Sequence, residues 1–319
     1  MRRIRVGVLR GGPSDEYEVS LKTGTAVLEH LPDERYEPLD ILVDRSGGWF
    51  LRGAPITPEE LARRADVVFN ALHGEYGEDG QVQRVLERAG IPYTGSGVAA
   101  SALAMHKGYA KKRFFAHGIR TPLHVAVEAE HPDALRMVFE NVSPPYVVKP
   151  MRGGSSIGVV FVDGFHALSE ALSAVFKLSP QALVEQRIRG REATVGVVDD
   201  FRGEELYAFP PIEIIPPASS PFFDYNAKYG GESQEICPGN FSPEIKRELQ
   251  ELAKAVHKTL RLRHYSRSDF IVSPRGIYVL EVNTLPGLTE ESLLPKSLAA
   301  VGSSLPEFLE HVISLACSR

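Results

Sequence analysis

The sequence predicts an α/β protein in which an N-terminal doubly wound parallel-sheet domain precedes two further α/β units. A chain of 319 residues with 43% hydrophobic residues can form two or three compact units with real cores. Its first apolar strand, residues 4–9, runs through a tight Gly11-Gly12 turn into a helix predicted for residues 18–31. This is how a parallel α/β unit opens, and the pattern of strand, turn and helix returns later in the chain.

Two polar clusters follow strands of the N-terminal domain. The sequence predicts further strands at 39–43 and 67–71, with a helix at 58–64 between them. Ligands of such sheets bind outside the carboxyl ends of the strands, which is where residues 14–16 and 73–80 fall. A helix N-cap and a surface turn explain the same residues, so both interpretations stay open.

Residues 95–100 match the G-x-G-x-x-A fingerprint of dinucleotide binding, but the context does not fit. Only a short segment, residues 91–94, precedes them, and no acidic residue follows at the distance needed to bind a ribose. We therefore predict a turn that leads into one helix over residues 99–115. That helix carries four basic side chains, Lys107, Lys111, Lys112 and Arg113. We expect most of them to be solvated, although Lys107 stands where the chain changes domain.

A second α/β unit begins after a predicted boundary at residues 118–122. It has predicted strands at 124–127, 146–149 and 159–162 and a helix near 165–176. Lys149 ends the middle strand, and the glycine-serine loop 153–158 follows. A lysine, hydroxyl groups and backbone N–H groups in one loop suit phosphate. The P-loop pattern is absent because the lysine precedes the loop, and a flexible hairpin is the alternative.

An interdomain hinge and a lid are predicted next. Glu185 and Glu192 bracket the hinge, and nucleotides tend to lie in interdomain clefts. Residues 215–240 are rich in Pro, Gly and Ser and contain several aromatic side chains, which favours a lid over a disordered loop. Helices at 243–262 and 305–315 complete the predicted elements.

A β-hairpin at residues 267–283 carries the densest group of polar side chains. We predict a three-residue loop, 274–276, with Gly276 in the left-handed position. If Ser273 then faces Ile277, two cross-strand pairs share one face, because strand side chains alternate with period two. The pairs are Asp269 with Glu281 and Arg267 with Asn283.

These four side chains support one of two interpretations. Carboxylate and amide oxygens suit a Mg²⁺ ion that also holds nucleotide phosphates, and an adjacent arginine suits an anion or a developing oxyanion. Alternatively, the hairpin is only salt-bridged, with Arg267 balancing Asp269. Spacing alone does not choose between them.

Composition excludes several classes of protein. A net charge of −5 argues against general nucleic-acid or membrane-surface binding. The first apolar run is too short for a signal peptide and no stretch reaches membrane-spanning length, so we expect a cytoplasmic protein. Only Cys237 and Cys317 are present, too few for a disulfide framework and too far apart for a metal motif.

Six motifs occur in order along the chain. They are Gly-Gly-x-Ser-x-Glu-x-Glu-Val-Ser at 11–20, Leu-His-Gly-x-x-Gly-Glu-Asp-Gly at 72–80, Val-Val-Lys-Pro-x-x-Gly-Gly-Ser-Ser-Ile-Gly at 147–158, Ala-Lys-Tyr at 227–229, Ser-Arg-x-Asp at 266–269 and Glu-Val-Asn-Thr-x-Pro-Gly-Leu-Thr at 281–289. Together they resemble the ATP-grasp ligases and, more closely, the D-alanine–D-alanine ligase family, over essentially the whole chain.

The resemblance implies a fold, substrates and a nucleotide site. The fold would be an N-terminal Rossmann-like substrate domain (1–100) followed by a two-subdomain ATP-grasp fold, with a central subdomain (101–188) and a C-terminal one (189–319) that carries the lid (215–240). The ATP-binding residues would be Lys107, Lys149, Ser156, Glu185, Glu192 and Lys228. Of these, Lys107 and Lys149 would lie on the phosphates, and Glu185 and Glu192 near the adenine and ribose. Mg²⁺, or Mn²⁺ in its place, would be held by Asp269, Glu281 and Asn283.

The resemblance also implies how two D-alanine molecules would be joined through a D-alanyl phosphate. Glu16 would anchor the first ammonium group, with His73 supporting that subsite. Arg267 and the Gly287 backbone would stabilise the tetrahedral oxyanion. The second carboxylate would be received by Ser292 and Leu293. Finally, Ser155 on the phosphate loop and Tyr229 on the lid would bridge the closed site.

Small departures and neighbouring functions stay open at this point. Ser268 and Arg10 stand where apolar residues are commoner in the family, and neither change removes a catalytic group. Tyr229 favours an amine over a hydroxy acid as the second substrate. The alternatives are a ligase for D-lactate or another small amino acid, and a catalytically silent nucleotide-binding protein. A homodimer is implied by the resemblance alone.

Overall fold

The structure is a computed structural model that describes residues 2–154, 156–217 and 233–318. Its strands form three sheets. Each sheet is packed against helices, so the α/β class predicted from the sequence is confirmed. Among the described residues, no helix is both long and apolar enough to cross a bilayer.

The first sheet has five strands in the order β4-β3-β2-β1-β5. They are β1 (Ile4–Gly11), β2 (Tyr36–Val43), β3 (Trp49–Leu51), β4 (Ala54–Pro55) and β5 (Val67–Asn70). Strand β1 is parallel to β2 and β5, whereas β3 and β4 add an antiparallel hairpin at one edge. Val8 and Leu9 of β1 point to opposite faces and are both fully buried, as expected for a strand covered on both faces.

Helices cover both faces of this sheet. The first three are α1 (Tyr17–His30), α2 (Pro58–Arg64) and α3 (Gln81–Ala89). Helix α2 begins at a capping box, in which the Thr57 side chain accepts from the Glu60 N–H and the Glu60 carboxylate accepts from the Thr57 N–H. Helices α2 and α3 pack on one face and α1 on the other.

The single helix predicted for residues 99–115 is wrong, because the structure has two helices there. They are α4 (Val98–Met105) and α5 (Lys107–Ala116). His106 between them is extended, and its ring accepts a hydrogen bond from the Tyr109 N–H, so it caps α5. The break places Lys107 at the start of α5, where its backbone N–H donates to the Met151 carbonyl.

The second sheet is antiparallel and has four strands in the order β6-β9-β7-β8. They are β6 (His124–Glu128), β7 (Tyr146–Pro150), β8 (Val160–Val162) and β9 (Gln181–Gln186). Helices α6 (Ala134–Asn141) and α7 (Leu168–Phe176) pack against the face that carries Val148 and Val184. Since side chains alternate along a strand, Lys149 and Glu185 point to the opposite face.

The third sheet runs β13-β12-β10-β14-β15, with β11 also paired to β10. Its strands are β10 (Arg191–Phe201), β11 (Glu204–Ala208), β12 (Ile212–Ile215), β13 (Gln234–Ile236), β14 (Tyr265–Ser273) and β15 (Gly276–Asn283). Helix α8 (Pro243–Thr259) packs on one face together with α4 and α5, as shown by the shared core of Phe114, Val195 and Leu249. The opposite face of this sheet looks towards the second sheet.

The last two helices are α9 (Leu293–Ala300) and α10 (Leu305–Cys317). They return to the first sheet, where Phe308 and Val312 of α10 share a core with Val8 and Phe69. The C-terminal end of the chain therefore completes the hydrophobic covering of the N-terminal sheet.

The register predicted for the β14–β15 hairpin is confirmed at its functional end and wrong at its loop. Asp269 pairs with Glu281 and Arg267 with Asn283, but Ser273 pairs with Gly276 rather than Ile277, so the loop has two residues. A bulge at Leu280 compensates, because Phe270 pairs with Val279 while the preceding Asp269 pairs with Glu281. The one-residue difference in the loop is thus cancelled before the polar pairs.

The glycine-rich segment that mimics a dinucleotide fingerprint contacts the residues that precede β14 of the third sheet. The Gly95 N–H donates to His264 Nδ1 at 3.0 Å, and Arg263 Nε donates to the Gly95 carbonyl at 2.8 Å. The Arg263 guanidinium also lies 4.7 Å from the centre of the Tyr93 ring. These contacts agree with rejecting a dinucleotide site here.

Candidate active site

Two adjoining cavities lie where the three sheets meet. The first, of about 290 Å³, lies between the second and third sheets, on the faces opposite their helices. The second, of about 250 Å³, lies between the third sheet and the carboxyl ends of β1 and β5. Six residues line both cavities: Lys107, Gly153, Gly154, Arg267, Glu281 and Leu293. A ligand in one cavity can therefore meet a ligand in the other at this shared wall.

The structure brings together all of the predicted site residues that it describes. Lining the first cavity are Lys107, Lys149, Ser156, Glu185, Glu192, Arg267, Asp269, Glu281 and Leu293. Lining the second are Glu16, His73, Lys107, Arg267, Glu281, Asn283, Gly287, Ser292 and Leu293. Ser155, Lys228 and Tyr229 lie outside the described residues, as does most of the predicted lid.

Lys149 and Glu185 form a buried ion pair in the first cavity. Lys149 on β7 lies diagonally across from Glu185 on β9, and Lys149 Nζ is 3.0 Å from Glu185 Oε2. Desolvation alone would lower the pKa of Lys149, but the charges of Glu185 and Glu281 outweigh it and raise that pKa. Lys149 is therefore held as a cation at the cavity wall.

The third member of this cluster is Lys111, which was predicted to be exposed to solvent. Lys111 is 0% exposed, and its Nζ lies 2.9 Å from Glu185 Oε1 and donates to Thr121 Oγ1 at 2.6 Å. Desolvation alone would raise the pKa of Glu185, but Lys111 and Lys149 lower it. The available signal was the four-residue spacing from Lys107, which places both lysines on one face of a helix.

The hairpin pairs provide the candidate metal ligands. Asp269 Oδ1 accepts from Thr194 Oγ1 at 2.6 Å and from Arg267 Nε at 3.1 Å, so the ion pair of the alternative interpretation is present. Glu281 lies directly across from Asp269 and 4.0 Å from Lys107 Nζ. Asn283 Oδ1 accepts from the Leu285 N–H and keeps a second lone pair.

This donor set fits a hard divalent cation. No group of three or more His, Cys, Asp or Glu side chains within the described ranges is placed to hold a metal ion. The hairpin instead offers two carboxylates and one amide oxygen beside a cavity. Mg²⁺ is commonly held by one or two carboxylates together with substrate phosphates, so a fuller protein cage is not required.

Glu16 lies between two loops at the mouth of the second cavity. A β-carbon built on Gly74 would lie 2.9 Å from Glu16 Oε2, and one built on Gly154 would lie 3.3 Å from the same oxygen. Gly74 also has a φ of +69°, so glycine suits both the backbone conformation and the close approach of the carboxylate. The Glu16 carboxylate therefore lies close to the glycine-serine loop 153–158.

His73 is fixed from two sides. Its Nε2 is hydrogen-bonded to Thr23 Oγ1 at 2.8 Å, and its Nδ1 lies 3.6 Å from Glu78 Oε1. Glu78 is buried and accepts from the Gly74 N–H at 3.1 Å and from Thr284 Oγ1 at 3.3 Å. Glu78 therefore joins the His73 loop to the end of β15. Glu78 belongs to the motif at residues 72–80 but was not predicted to be a site residue.

The far end of the second cavity is closely packed around Gly287. A β-carbon on Gly287 would lie 2.9 Å from Ser292 Oγ, which is itself hydrogen-bonded to Thr289 Oγ1 at 2.8 Å. Leu293 follows as the first residue of α9. The N–H groups of a first helical turn have no partner within the helix, so this end of the cavity suits a carboxylate.

The first cavity also has apolar walls that the sequence analysis did not assign. They are formed by Val147, Phe161, Ile188, Ile214 and Leu280. Mostly apolar walls with a small number of polar groups are typical of small-molecule pockets, so this part of the cavity suits an apolar or aromatic part of a ligand.

Family models match nearly the whole chain. The model described as "D-ala D-ala ligase N-terminus" matches residues 5–57 and 53–96, and the model described as "D-ala D-ala ligase C-terminus" matches residues 118–314. Two similar proteins named D-alanine--D-alanine ligase indicate the same family. The one from Geobacter sulfurreducens is 42% identical over 318 residues, covering 98% of this chain and 94% of that protein. The one from Syntrophobacter fumaroxidans is 39% identical over 315 residues, covering 98% of each chain.

Solved structures share the fold. The VanG D-Ala:D-Ser ligase from Enterococcus faecalis has a TM-score of 0.88 at 30% identity, covering 99% of this chain and 100% of that chain. The D-alanine--D-alanine ligase from Bacillus anthracis has a TM-score of 0.84 at 34% identity, covering 99% of this chain and 98% of that chain.

Proposed function

The chain belongs to the D-alanine–D-alanine ligase family, and from this premise we infer that the two cavities form the active site of an ATP-dependent ligase. The enzyme joins two D-alanine molecules into D-alanyl-D-alanine through a D-alanyl phosphate, for peptidoglycan precursor synthesis. Its fold is an N-terminal doubly wound domain followed by a two-subdomain ATP-grasp fold. The observation that carries this assignment is the wall shared by the two cavities.

ATP occupies the first cavity in this proposal. The adenine lies between the apolar walls with Glu192 at that end, and the phosphates extend towards Lys107 and Lys149. Glu185, which is 3.0 Å from Lys149 Nζ, would lie between the adenine-ribose part and the phosphates. Both lysines are nearly buried, so their charges act in a region of low dielectric, where they attract a triphosphate more strongly than exposed lysines would. Ser156 contributes from the phosphate loop, and Ser155 and Lys228 are proposed to do so as well.

The family uses ATP together with a divalent metal ion, which we propose to be Mg²⁺, with Mn²⁺ as a substitute. Asp269, Glu281 and Asn283 would hold it. When bound, the ion neutralises charge on the transferred phosphoryl group. Thr194 and Arg267 hold the Asp269 carboxylate through hydrogen bonds, so this side chain is oriented before any ligand binds.

Phosphoryl transfer activates the first D-alanine. Its carboxylate oxygen attacks the γ-phosphorus of ATP, the bond to the bridging oxygen breaks, and ADP leaves with that electron pair. A carboxylate is a poor acyl donor, and the acyl phosphate, a mixed anhydride, gives its acyl carbon a good leaving group. Glu16, which immediately precedes α1 and lies close to the glycine-serine loop, is proposed to bind the substrate ammonium group. His73 supports this subsite.

The second D-alanine then attacks the acyl carbon. Its amine loses a proton, the new C–N bond forms, and inorganic phosphate leaves. Arg267 lines both cavities, which supports the proposal that its guanidinium stabilises the tetrahedral oxyanion together with the Gly287 N–H. The second carboxylate would lie against Ser292 and the N–H groups at the start of α9. We propose that Tyr229 closes the site from the lid.

We further propose the domain division 1–100, 101–188 and 189–319, a cytoplasmic location and a homodimer. Each rests on the family resemblance, and the location is supported by the use of ATP as a substrate. D-alanine and ATP are the small-molecule partners, and no nucleic acid or membrane takes part.

A D-Ala:D-Ser ligase is the second candidate function, favoured by the solved structure of that activity at a TM-score of 0.88. Phosphate release and product mass with Mg·ATP and D-alanine alone, and then with added D-serine or D-lactate, distinguish the two. We expect dipeptide from D-alanine alone. A mixed product only would assign the enzyme to another second substrate, and ATP binding without D-alanine-dependent turnover would contradict the ligase assignment.

A further inference from the structure

We propose that Lys111 is a positioning residue of the nucleotide site that acts on Lys149 through Glu185. The inference rests on the proposed placement of the ATP phosphates at Lys149. Lys111 does not line either cavity, so a direct contact with the nucleotide is not its role. Its effect must pass through the side chains that it touches.

The geometry of the three side chains carries the proposal. Each oxygen of the Glu185 carboxylate is taken by a different lysine, Oε1 by Lys111 at 2.9 Å and Oε2 by Lys149 at 3.0 Å. The Lys111 ammonium is also held by Thr121 Oγ1 at 2.6 Å. The two ion pairs hold the carboxylate between the two lysines, and its position determines where Lys149 Nζ lies.

Charge gives the second part of the argument. A buried carboxylate paired with Lys149 alone would neutralise the cation that the phosphates need. With Lys111 on its other oxygen, the cluster holds two ammonium groups against one carboxylate, so one positive charge remains at the cavity wall. Burial lowers the pKa of Lys111 to about 8, which leaves it protonated at neutral pH.

The cluster also joins two parts of the fold. Lys111 lies on α5, whose Phe114 is packed in the core of the third sheet, whereas Glu185 and Lys149 belong to the second sheet. Burying an ammonium group at such a junction is costly unless it is paired. The pair therefore ties the second sheet, with its phosphate loop, to the helix that carries Lys107.

The test compares Lys111→Met with Lys111→Arg, using Lys112→Met as the control because Lys112 is exposed on the same helix. We expect Lys111→Met to raise KM for ATP by about tenfold, since it leaves Glu185 with Lys149 alone. KM for D-alanine should stay unchanged. Lys111→Arg keeps the charge and should retain KM for ATP within about threefold, and Lys112→Met should match the wild type.

A double-mutant cycle separates this role from a purely structural one. With Glu185→Gln there is no carboxylate left to neutralise, so adding Lys111→Met should change KM for ATP by less than about threefold. This double variant has no unpaired buried carboxylate, which keeps the test available if Lys111→Met alone does not fold. A tenfold rise in the Glu185→Gln background, or a folded Lys111→Met enzyme with wild-type KM for ATP, would overturn the proposal.

Lys149→Met shows which proposal has failed if the test is negative. Should that variant raise KM for ATP while Lys111→Met does not, only the role of Lys111 is refuted. Should neither variant change KM for ATP, the placement of the phosphates at Lys149 is wrong, and the proposed nucleotide site fails with it.

Discussion

At the scale of single residues, oppositely charged side chains lie in close pairs at the wall that the two cavities share. Lys107 and Glu281 lie 4.0 Å apart, and Arg267 is bonded to Asp269. Desolvation lowers the pKa of Lys107, and the Glu281 charge only partly offsets this. An anionic ligand beside the two basic side chains and a cation beside the two carboxylates would balance the charges at this wall.

The first prediction concerns the metal-binding carboxylate. Glu281→Gln removes a ligand charge without changing side-chain size, so we expect kcat/KM for Mg·ATP to fall by about a hundredfold, with little change in the free energy of unfolding. Steady-state kinetics and urea unfolding measure the two quantities. Glu251→Gln on the exposed side of α8 is the control. A normal rate for Glu281→Gln would remove this residue from the metal site.

The second prediction is a loss of stability in acid caused by His264. Burial lowers the pKa of His264 to about 4, whereas a histidine in the unfolded chain has a pKa of about 6.5. The unfolded state therefore binds more protons as pH falls from about 6.5 to 4, and folding should lose up to about 3 kcal/mol across this window. Urea unfolding between pH 7 and 4.5 measures the loss.

His264→Asn is the matched variant, because asparagine tolerates the left-handed backbone at this position, where φ is +66°. It should be less stable at neutral pH and show a shallower loss in acid. An equally steep loss in the variant would show that another group causes the pH dependence.

The sequence could predict the hairpin pairs but not the buried lysine cluster. Alternation along a strand puts Arg267 and Asp269 on one face of β14, and Glu281 and Asn283 on one face of β15. Helix spacing shows only that Lys107 and Lys111 share a face, and whether that face meets solvent or the second sheet depends on contacts distant in sequence. Lys111 is buried because Glu185 and Thr121 meet it there.

At the scale of elements, the loop between β15 and α9 shapes the substrate cavity. Gly287→Ala places a methyl group 2.9 Å from Ser292 Oγ, so either the Ser292 hydroxyl group must rotate away from Thr289 Oγ1 or the loop must shift. We expect KM for D-alanine to rise by about tenfold, because small displacements of positioning groups have large effects on reactivity. KM for ATP should stay unchanged. Equal KM values for D-alanine in both enzymes would show that this loop does not contact the substrate.

Element prediction succeeded at the site because two errors of one residue cancel. The predicted loop was longer than the observed one, and the bulge at Leu280 restored the pairing of Asp269 with Glu281. A bulge has no firm local sequence signal, since it depends on how the strand fits its neighbours. The break at His106 was missed for a similar reason, because no proline marks it and the nearby glycine, Gly108, lies inside α5.

At the scale of the whole molecule, the two ends of the chain stabilise one another. Phe308 of α10 is fully buried against the first sheet. Phe308→Ala should lower the free energy of unfolding by about 3–5 kcal/mol through the cavity that it leaves. Phe115→Ala is the control, because that ring is 82% exposed. A loss below about 1 kcal/mol for Phe308→Ala would contradict the packing of α10 on this sheet.

The sequence predicted α10 as a helix but could not assign it to the first sheet. Its apolar face identifies a buried side and not the partner that buries it. The meeting of the two cavities is likewise a property of the whole molecule, since its shared wall combines α5, the phosphate loop and the β14–β15 hairpin. Motif order indicated the family, and the folded chain brings these segments together.

The central claim is that a D-alanine carboxylate in one cavity attacks the ATP phosphate in the other. The most direct measurement uses D-alanine labelled with ¹⁸O in its carboxylate, Mg·ATP and mass analysis of the released phosphate. Attack through the carboxylate transfers one labelled oxygen to phosphate in every turnover that forms dipeptide. Dipeptide formation with unlabelled phosphate would contradict the acyl phosphate and the shared wall as its place of formation.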